Sequence, residues 1–223
     1  MEDENWKIDF TIQVLENPIF YRVLREIKID LDVSLIRLNH TSSIILVKTL
    51  VKQIWISRDY AACSGCRRCE LACSMHHEGW MWPEASRVRV FMPFPGVEVP
   101  HLCAQCQDYP CINSCKFDAL SKDKDTGAVI VDREACTSCG ACIRACPGSV
   151  PYLHPKDNKA TICDLCSGEP KCVEVCTEAG YNALTIVNEG PSIHRKLYSR
   201  DPVETAKDLA VKLFGEKGEE VIQ

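Results

Sequence analysis

Apolar positions along this chain fall into short, interrupted runs. Ile29, Leu31, Val33 and Leu35 alternate with polar residues in the two-residue rhythm of a strand. Ahead of them, Asn17-Pro18 fits a helix start, with Phe20, Val23, Leu24 and Ile27 on one face of a helix over about 18–28. Further strands are predicted near 51–57, at 87–92 and, after a turn at 123–127, at 128–132. A related run, Ala183-Leu184-Thr185-Ile186-Val187, closes the middle of the chain. The tail predicts a helix over about 202–214. Asp201 is its N-cap, Pro202 its first position, Glu204 completes a capping box and Gly215 is its stop. Its apolar face, Val203, Ala206, Leu209, Ala210 and Leu213, either packs on the chain's own core or docks on a partner.

The first 50 residues have no cysteine and a different apolar rhythm from the rest. They read equally as an added domain, a docking arm or an upstream extension of the reading frame. Between residues 63 and 176, in contrast, lie all sixteen cysteines, in four groups of four. The first is Cys63-x2-Cys66-x2-Cys69-x3-Cys73, and the second Cys103-x2-Cys106-x4-Cys111-x3-Cys115. The third is Cys136-x2-Cys139-x2-Cys142-x3-Cys146-Pro147, and the fourth Cys163-x2-Cys166-x5-Cys172-x3-Cys176.

Three thiolates converging from one compact loop suit a cubane iron–sulfur cluster. Small residues such as Ser64, Gly65, Thr137, Ser138, Gly140 and Ala141 let backbone amides approach its sulfides. In two-cluster ferredoxins the fourth cysteine ligates the other cluster. Sixteen thiolates at four each therefore predict four 4Fe–4S clusters with none left over. A disulfide framework would suit a small secreted domain with a signal peptide. Structural zinc would need two CxxC knuckles on a longer spacer, and successive x2 spacings leave no tetrahedral partition.

With 26 Lys plus Arg against 31 Asp plus Glu, the net charge of −5 gives no electrostatic footprint for nucleic acid. The longest apolar run, Ile44 to Val47, is too short to span a bilayer. Arg67-Arg68 lies inside a cysteine loop and not in an export signal. The expectations are no nucleic-acid partner, no membrane insertion, and a reducing, oxygen-shielded cytoplasmic setting. No constellation for substrate chemistry emerges, so the chain reads as non-catalytic. His76-His77 reads as a solvated helix end, while His101 and His154 flank cysteine loops as candidate partners of a cluster sulfide. Arg67, Arg68, Arg133 and Arg144 lie beside the loops, where a cation favours the reduced cluster if it is not simply solvated. Trp80 and Trp82, in the 29 residues between Cys73 and Cys103, either shield a cluster or form an interface.

Loop, short helix, hairpin strand and next loop recur about twice. The predicted fold is therefore α+β, a tandem bacterial-type ferredoxin (a duplicated two-cluster ferredoxin fold). It covers 51–187, flanked by an N-terminal extension at 1–50 and a helical tail at 188–223. In such a core the clusters take the place of apolar bulk, and folding is coupled to their insertion.

With its motifs CAQCQDYPCINSC at 103–115 and CDLCSGEPKCVEVC at 163–176, this region resembles the four-cluster ferredoxin-type subunits of molybdenum and tungsten oxidoreductases. The short middle gap of the fourth motif and the run SRVRVF at 86–91 resemble most the small subunits of tungsten aldehyde oxidoreductases and the related benzoyl-CoA reductase electron-transfer subunit. Proline often follows the fourth cysteine in that family, and Ser74, Lys116 and Thr177 depart from this. The resemblance implies a nested ligand pattern: Cys63, Cys66, Cys69 with Cys176; Cys163, Cys166, Cys172 with Cys73; Cys103, Cys106, Cys111 with Cys146; and Cys136, Cys139, Cys142 with Cys115. It also implies a large catalytic partner holding a tungsten or molybdenum pterin, with a ferredoxin or another redox subunit at the far end. The rival readings are a free-standing polyferredoxin and a structural metal-binding module.

Overall fold

A computed structural model describes residues 31–38, 42–49, 53–188, 195 and 197–222. The helix expected over about 18–28 lies outside them. The chain divides into two compact units, Met1–Val51 and Lys52–Gln223.

In the first unit, β1 (Leu31–Leu38) and β2 (Ser42–Thr49) form an antiparallel hairpin. Its register pairs Val33 with Val47 and Leu35 with Ile45. Only β1 carries the strand rhythm in sequence. In β2 the consecutive run Ile44 to Val47 hides the period.

The second unit is built from small paired elements. β3 (Trp55–Arg58) pairs antiparallel with β10 (Leu184–Val187), joining the two ends of the cysteine-rich segment. β4 (Arg89–Phe94) and β5 (Val97–His101) form a hairpin whose register shifts between Phe91 and Phe94. β6 (Leu120–Lys122) pairs with β7 (Val129–Val131), and Asp123 holds the turn by accepting from the Thr126 amide and hydroxyl at 2.8 and 2.6 Å. β8 (Tyr152–Leu153) pairs with β9 (Ala160–Thr161). Among the described residues each sheet has two strands. Ribbons this small have marginal stability alone and depend on what they pack against.

They pack against cysteines. Four helices carry the third cysteine of each group, and α1 and α4 the fourth as well: α1 (Arg68–Glu78), α2 (Pro110–Asn113), α3 (Ala141–Ala145) and α4 (Lys171–Glu178). Helix α1 packs on α4, and α2 on α3. One buried cluster joins Ile56, Leu102, Val129, Leu165 and Leu184 with eight of the sixteen cysteines.

The tail helix α5 (Pro202–Phe214) belongs to this unit. Asp201 accepts from the amides of Val203 and Glu204 at 2.8 and 3.3 Å, satisfying two open N–H groups. Ala206 and Ala210, both 0% exposed, seat the helix on Val97 and Val99 of β5, with Leu209, Tyr60, Phe91 and Phe94 around them. Val203 and Leu213, the outer members of the apolar stripe, are exposed. Gly215 interrupts the tail without ending it: α6 (Glu216–Ile222) follows.

Candidate metal centres

All four cysteine loops turn the same way. The second residue after the first cysteine has a left-handed backbone in each: Gly65 (φ 68), Gln105 (φ 52), Ser138 (φ 61) and Leu165 (φ 59). Three of the four are not glycine, so this conformation is imposed by the loop. At Gly65 it is also crowded, since a Cβ would come within 2.7 Å of Glu98 Cγ. The turn aims amides inward: Gln105 N–H points at Cys103 Sγ (3.5 Å) and Leu165 N–H at Cys163. Arg87 N to Cys73 Sγ (3.2 Å), Val150 N to Cys146 Sγ (3.4 Å) and Ala160 N to Cys136 Sγ (3.4 Å) add further donors. N–H groups on sulfur favour its anionic form.

The loops and helices bring cysteines together across long sequence separations. One pocket is lined by Cys136, Cys139, Cys142 and Cys115, walled by Phe117, Leu120 and Leu153. Another is lined by Cys63, Cys66, Cys69 and Cys176, with Val90, Tyr181 and Leu184. Burial first, then the neighbouring Cys146, raises the Cys106 thiol. Burial likewise pushes Cys111 up to about 11, with Cys146 and Cys106 adding to it. Cys163 is pushed to about 12 by burial, with Cys73 and Cys166 among its neighbours, and Cys172 rises through burial and then Cys163, Cys73 and Cys166. Cys69, where burial is followed by Glu70, also reaches about 12.

The donor set suits iron–sulfur clusters. None of the sixteen cysteines is in a disulfide, and the two cavities offer sulfur on apolar walls with no carboxylate or imidazole in the lining. A buried thiol held this far above its ordinary value stays protonated until a cation arrives, so loading releases protons and is linked to folding.

The histidines differ from the sequence reading. His77 is no solvated helix end: its Nε2 lies 3.7 Å from Cys166 Sγ and 3.5 Å from Asp164 Oδ1, while His76 is exposed. These three residues, His76, His77 and Cys166, place donor atoms within 4.8 Å of one another. Burial, then Arg87, lowers His77 to about 4, so its imidazole is neutral at neutral pH. His101 Nε2 hydrogen-bonds the Gly148 carbonyl at 2.8 Å, whereas His154 Nε2, 3.2 Å from Glu78 Oε1, makes no aligned hydrogen bond. Trp82 packs edge-on against both Trp80 and His154. Arg144 donates to the Cys139 carbonyl at 3.2 Å, whereas Arg133 pairs with Asp157. Arg67 and Arg68 are exposed and line the pocket of Cys63, Cys66, Cys69 and Cys176.

Sequence reasoning missed the charged and polar groups between the loops. Arg58, 3% exposed, donates to the carbonyls of Leu102 (2.6 Å), Cys103 (3.1 Å) and Tyr198 (2.7 Å). Gln105, 1% exposed, donates to the Cys163 carbonyl at 3.2 Å. Glu70 Oε1 accepts from Val90 N at 2.6 Å. The signal for Arg58 was a charge closing the apolar strand Trp55-Ile56-Ser57 just ahead of a cysteine loop.

Comparison with known proteins agrees with this chemistry. Residues 96–184 match the 4Fe-4S dicluster domain and residues 60–76 a 4Fe-4S binding domain. The chain is 53% identical over 165 residues to the aliphatic sulfonate oxidoreductase, polyferredoxin-like subunit, of Pyrococcus furiosus, covering 74% of this chain and 95% of that one. It is 32% identical over 144 residues to the thiosulfate reductase electron transfer subunit of Salmonella typhi, covering 57% and 73%. The active site complex of benzoyl coenzyme A reductase as isolated aligns at 25% identity over 76% of this chain and 97% of that chain, with a TM-score of 0.36. The chain belongs to the family of ferredoxin-type iron–sulfur electron-transfer subunits of oxidoreductases.

Proposed function

We propose that this chain holds four 4Fe–4S clusters and relays single electrons between a catalytic subunit with a tungsten or molybdenum pterin and a ferredoxin or further redox subunit. The ligand sets proposed are Cys63, Cys66, Cys69 and Cys176; Cys163, Cys166, Cys172 and Cys73; Cys103, Cys106, Cys111 and Cys146; and Cys136, Cys139, Cys142 and Cys115. When bound, such clusters supply reversible one-electron chemistry.

What supports the reading is the helix pairing that brings cysteines from different loops together. Helix α1 carries Cys69 for one set and Cys73 for the next, and α4 returns Cys172 and Cys176, so these two sets share a helix pair. Helices α2 and α3 are a similar packed pair: they carry Cys111 and Cys142, with Cys115 just past the end of α2 and Cys146 the C-cap of α3. The two pairs meet through Cys103 and Cys163, each inside the other's electrostatic reach and bridged by Gln105. The order is then a line, and Cys66 and Cys139, the two exposed cysteines, belong to its two end members. Buried thiols in the middle keep water from the inner pair, and the exposed ends are where partners would meet the line.

The names of the relatives, aliphatic sulfonate oxidoreductase and thiosulfate reductase, support an oxidoreductase partner. Trp80 and Met81, 60% and 69% exposed in the Cys73–Cys103 insertion, are the kind of apolar surface that a partner covers. A free-standing carrier is the second reading, favoured by α5 covering its own hairpin rather than remaining available. Anaerobic affinity purification from native cells separates the two. Co-purification of a metallopterin enzyme is expected, and recovery of the chain alone would sink the subunit reading.

A further inference from the structure

At the centre of the line lies a buried positive charge with no carboxylate partner. The Arg58 guanidinium is 3% exposed, and among the described residues no Asp or Glu oxygen lies within 4.0 Å of it. Its Nη groups donate to three carbonyls, those of Leu102, Cys103 and Tyr198, the Tyr60 hydroxyl lies beside it as a further hydrogen-bond partner, and its face lies 5.0 Å from the Tyr198 ring. The acidic side chains that feel its charge are Tyr60, Cys103 and Cys163. A second buried cation, Arg195, donates to the Gln105 carbonyl at 3.3 Å, and among the described residues no carboxylate pairs with it.

A guanidinium cannot shed its proton, and burying one without a counter-ion is strongly unfavourable. Carbonyl oxygens accept from its two Nη groups, leave the buried Nε without a partner among the described residues, and supply no net charge. Tying β3, the second cysteine loop and the tail together would need only a neutral donor. The excess positive charge asks for negative charge nearby, and Cys103 and Cys163 are where this fold supplies it. A cubane with four thiolates is anionic, and each added electron makes it more so.

We propose that Arg58 is the fixed counter-charge shared by the two inner clusters, and that it holds their reduction potentials above the values they would have without it. This rests on the four-cluster reading above. Arg58 is a positioning residue in the electrostatic sense: it neither touches substrate nor exchanges a proton. One electron arriving adds one negative charge beside it, and one electron leaving removes that charge.

The test is an anaerobic redox titration of the full, cluster-loaded chain followed by electron paramagnetic resonance, with iron and sulfide measured on every sample. In Arg58→Gln, at fixed ambient potential, the reduced-to-oxidised ratio of at least one cluster should fall tenfold or more, about 59 mV for a one-electron couple. Arg58→Lys, which keeps the charge but loses the planar fork, should stay near the parent. A merely structural role would make the two variants alike. Should Arg58→Gln fail to load, Tyr60→Glu carries the test, because it gives the guanidinium a carboxylate and leaves the carbonyl bonds in place. The same downward shift is expected. Unchanged potentials in a fully loaded Arg58→Gln or Tyr60→Glu overturn the inference. Iron far below sixteen in the unaltered protein overturns the four-cluster reading, and this inference with it.

Discussion

Gln105 donates from Nε2 to the carbonyl of Cys163, 3.2 Å away across 58 residues of sequence. The same residue has a left-handed backbone and turns its own amide toward Cys103 Sγ. One buried amide side chain therefore stitches the second cysteine loop to the fourth. Gln105→Ala removes the donor and leaves the Cys163 carbonyl without that partner. A loss of about 1–3 kcal/mol is expected for such a buried group. Anaerobic denaturant titration checks it, and a variant as stable as the parent would show that the bridge contributes nothing.

Metal content follows from the ligand count. Anaerobically purified protein should carry close to sixteen iron and sixteen sulfide per chain, with little zinc. Removing the iron by chelation should unfold Lys52–Gln223, because eight cysteines occupy the buried core that ligation would otherwise hold closed. Circular dichroism before and after chelation reads the outcome. Stoichiometric zinc with negligible sulfide would overturn the cluster assignment.

Cys176 separates the nested wiring from its alternatives. It lines the cavity of Cys63, Cys66 and Cys69, although it stands only four residues after Cys172 on helix α4. Cys176→Ser should perturb the cluster of the first loop and leave that of Cys163, Cys166 and Cys172 largely intact. Selective loss of the latter would show that the proposed ligand sets are wrong.

The tail helix gives a test independent of metal. Ala210 has no room beside Val97 and Val99, so Ala210→Asp would bury an unpaired carboxylate there. Undocking of α5, at a cost on the order of 3 kcal/mol or more, is expected instead. Limited proteolysis should then release residues near 200–222 while iron content holds. Asp201→Ala, which removes only the N-cap, should cost about 1 kcal/mol in thermal unfolding. Iron loss in Ala210→Asp would mean the tail also supports the clusters.

What the sequence by itself determined was local. Cysteine spacing specifies which residues share a loop, because ligation by one cube demands thiols a few residues apart, and 4Fe–4S chemistry was therefore legible from the motifs. The caps of α5 were legible for the same reason, since Asp201 and Pro202 act within one turn. The run Ile44 to Val47 concealed β2, because a continuous apolar stretch carries no period of two. Tertiary structure alone decided what lies between the loops. Arg58, Gln105 and Glu70 look like surface residues by type, and only the packing of β3 and β4 against the cysteine loops buries them. His77 moved from an expected solvated helix end to Cys166 because α1 is pressed against the fourth loop, a contact between residues 89 positions apart. Spacing within a loop is a short-range constraint that sequence writes openly. The charge environment of each cysteine is a sum over groups distant in sequence, and it exists only once the chain has folded around them.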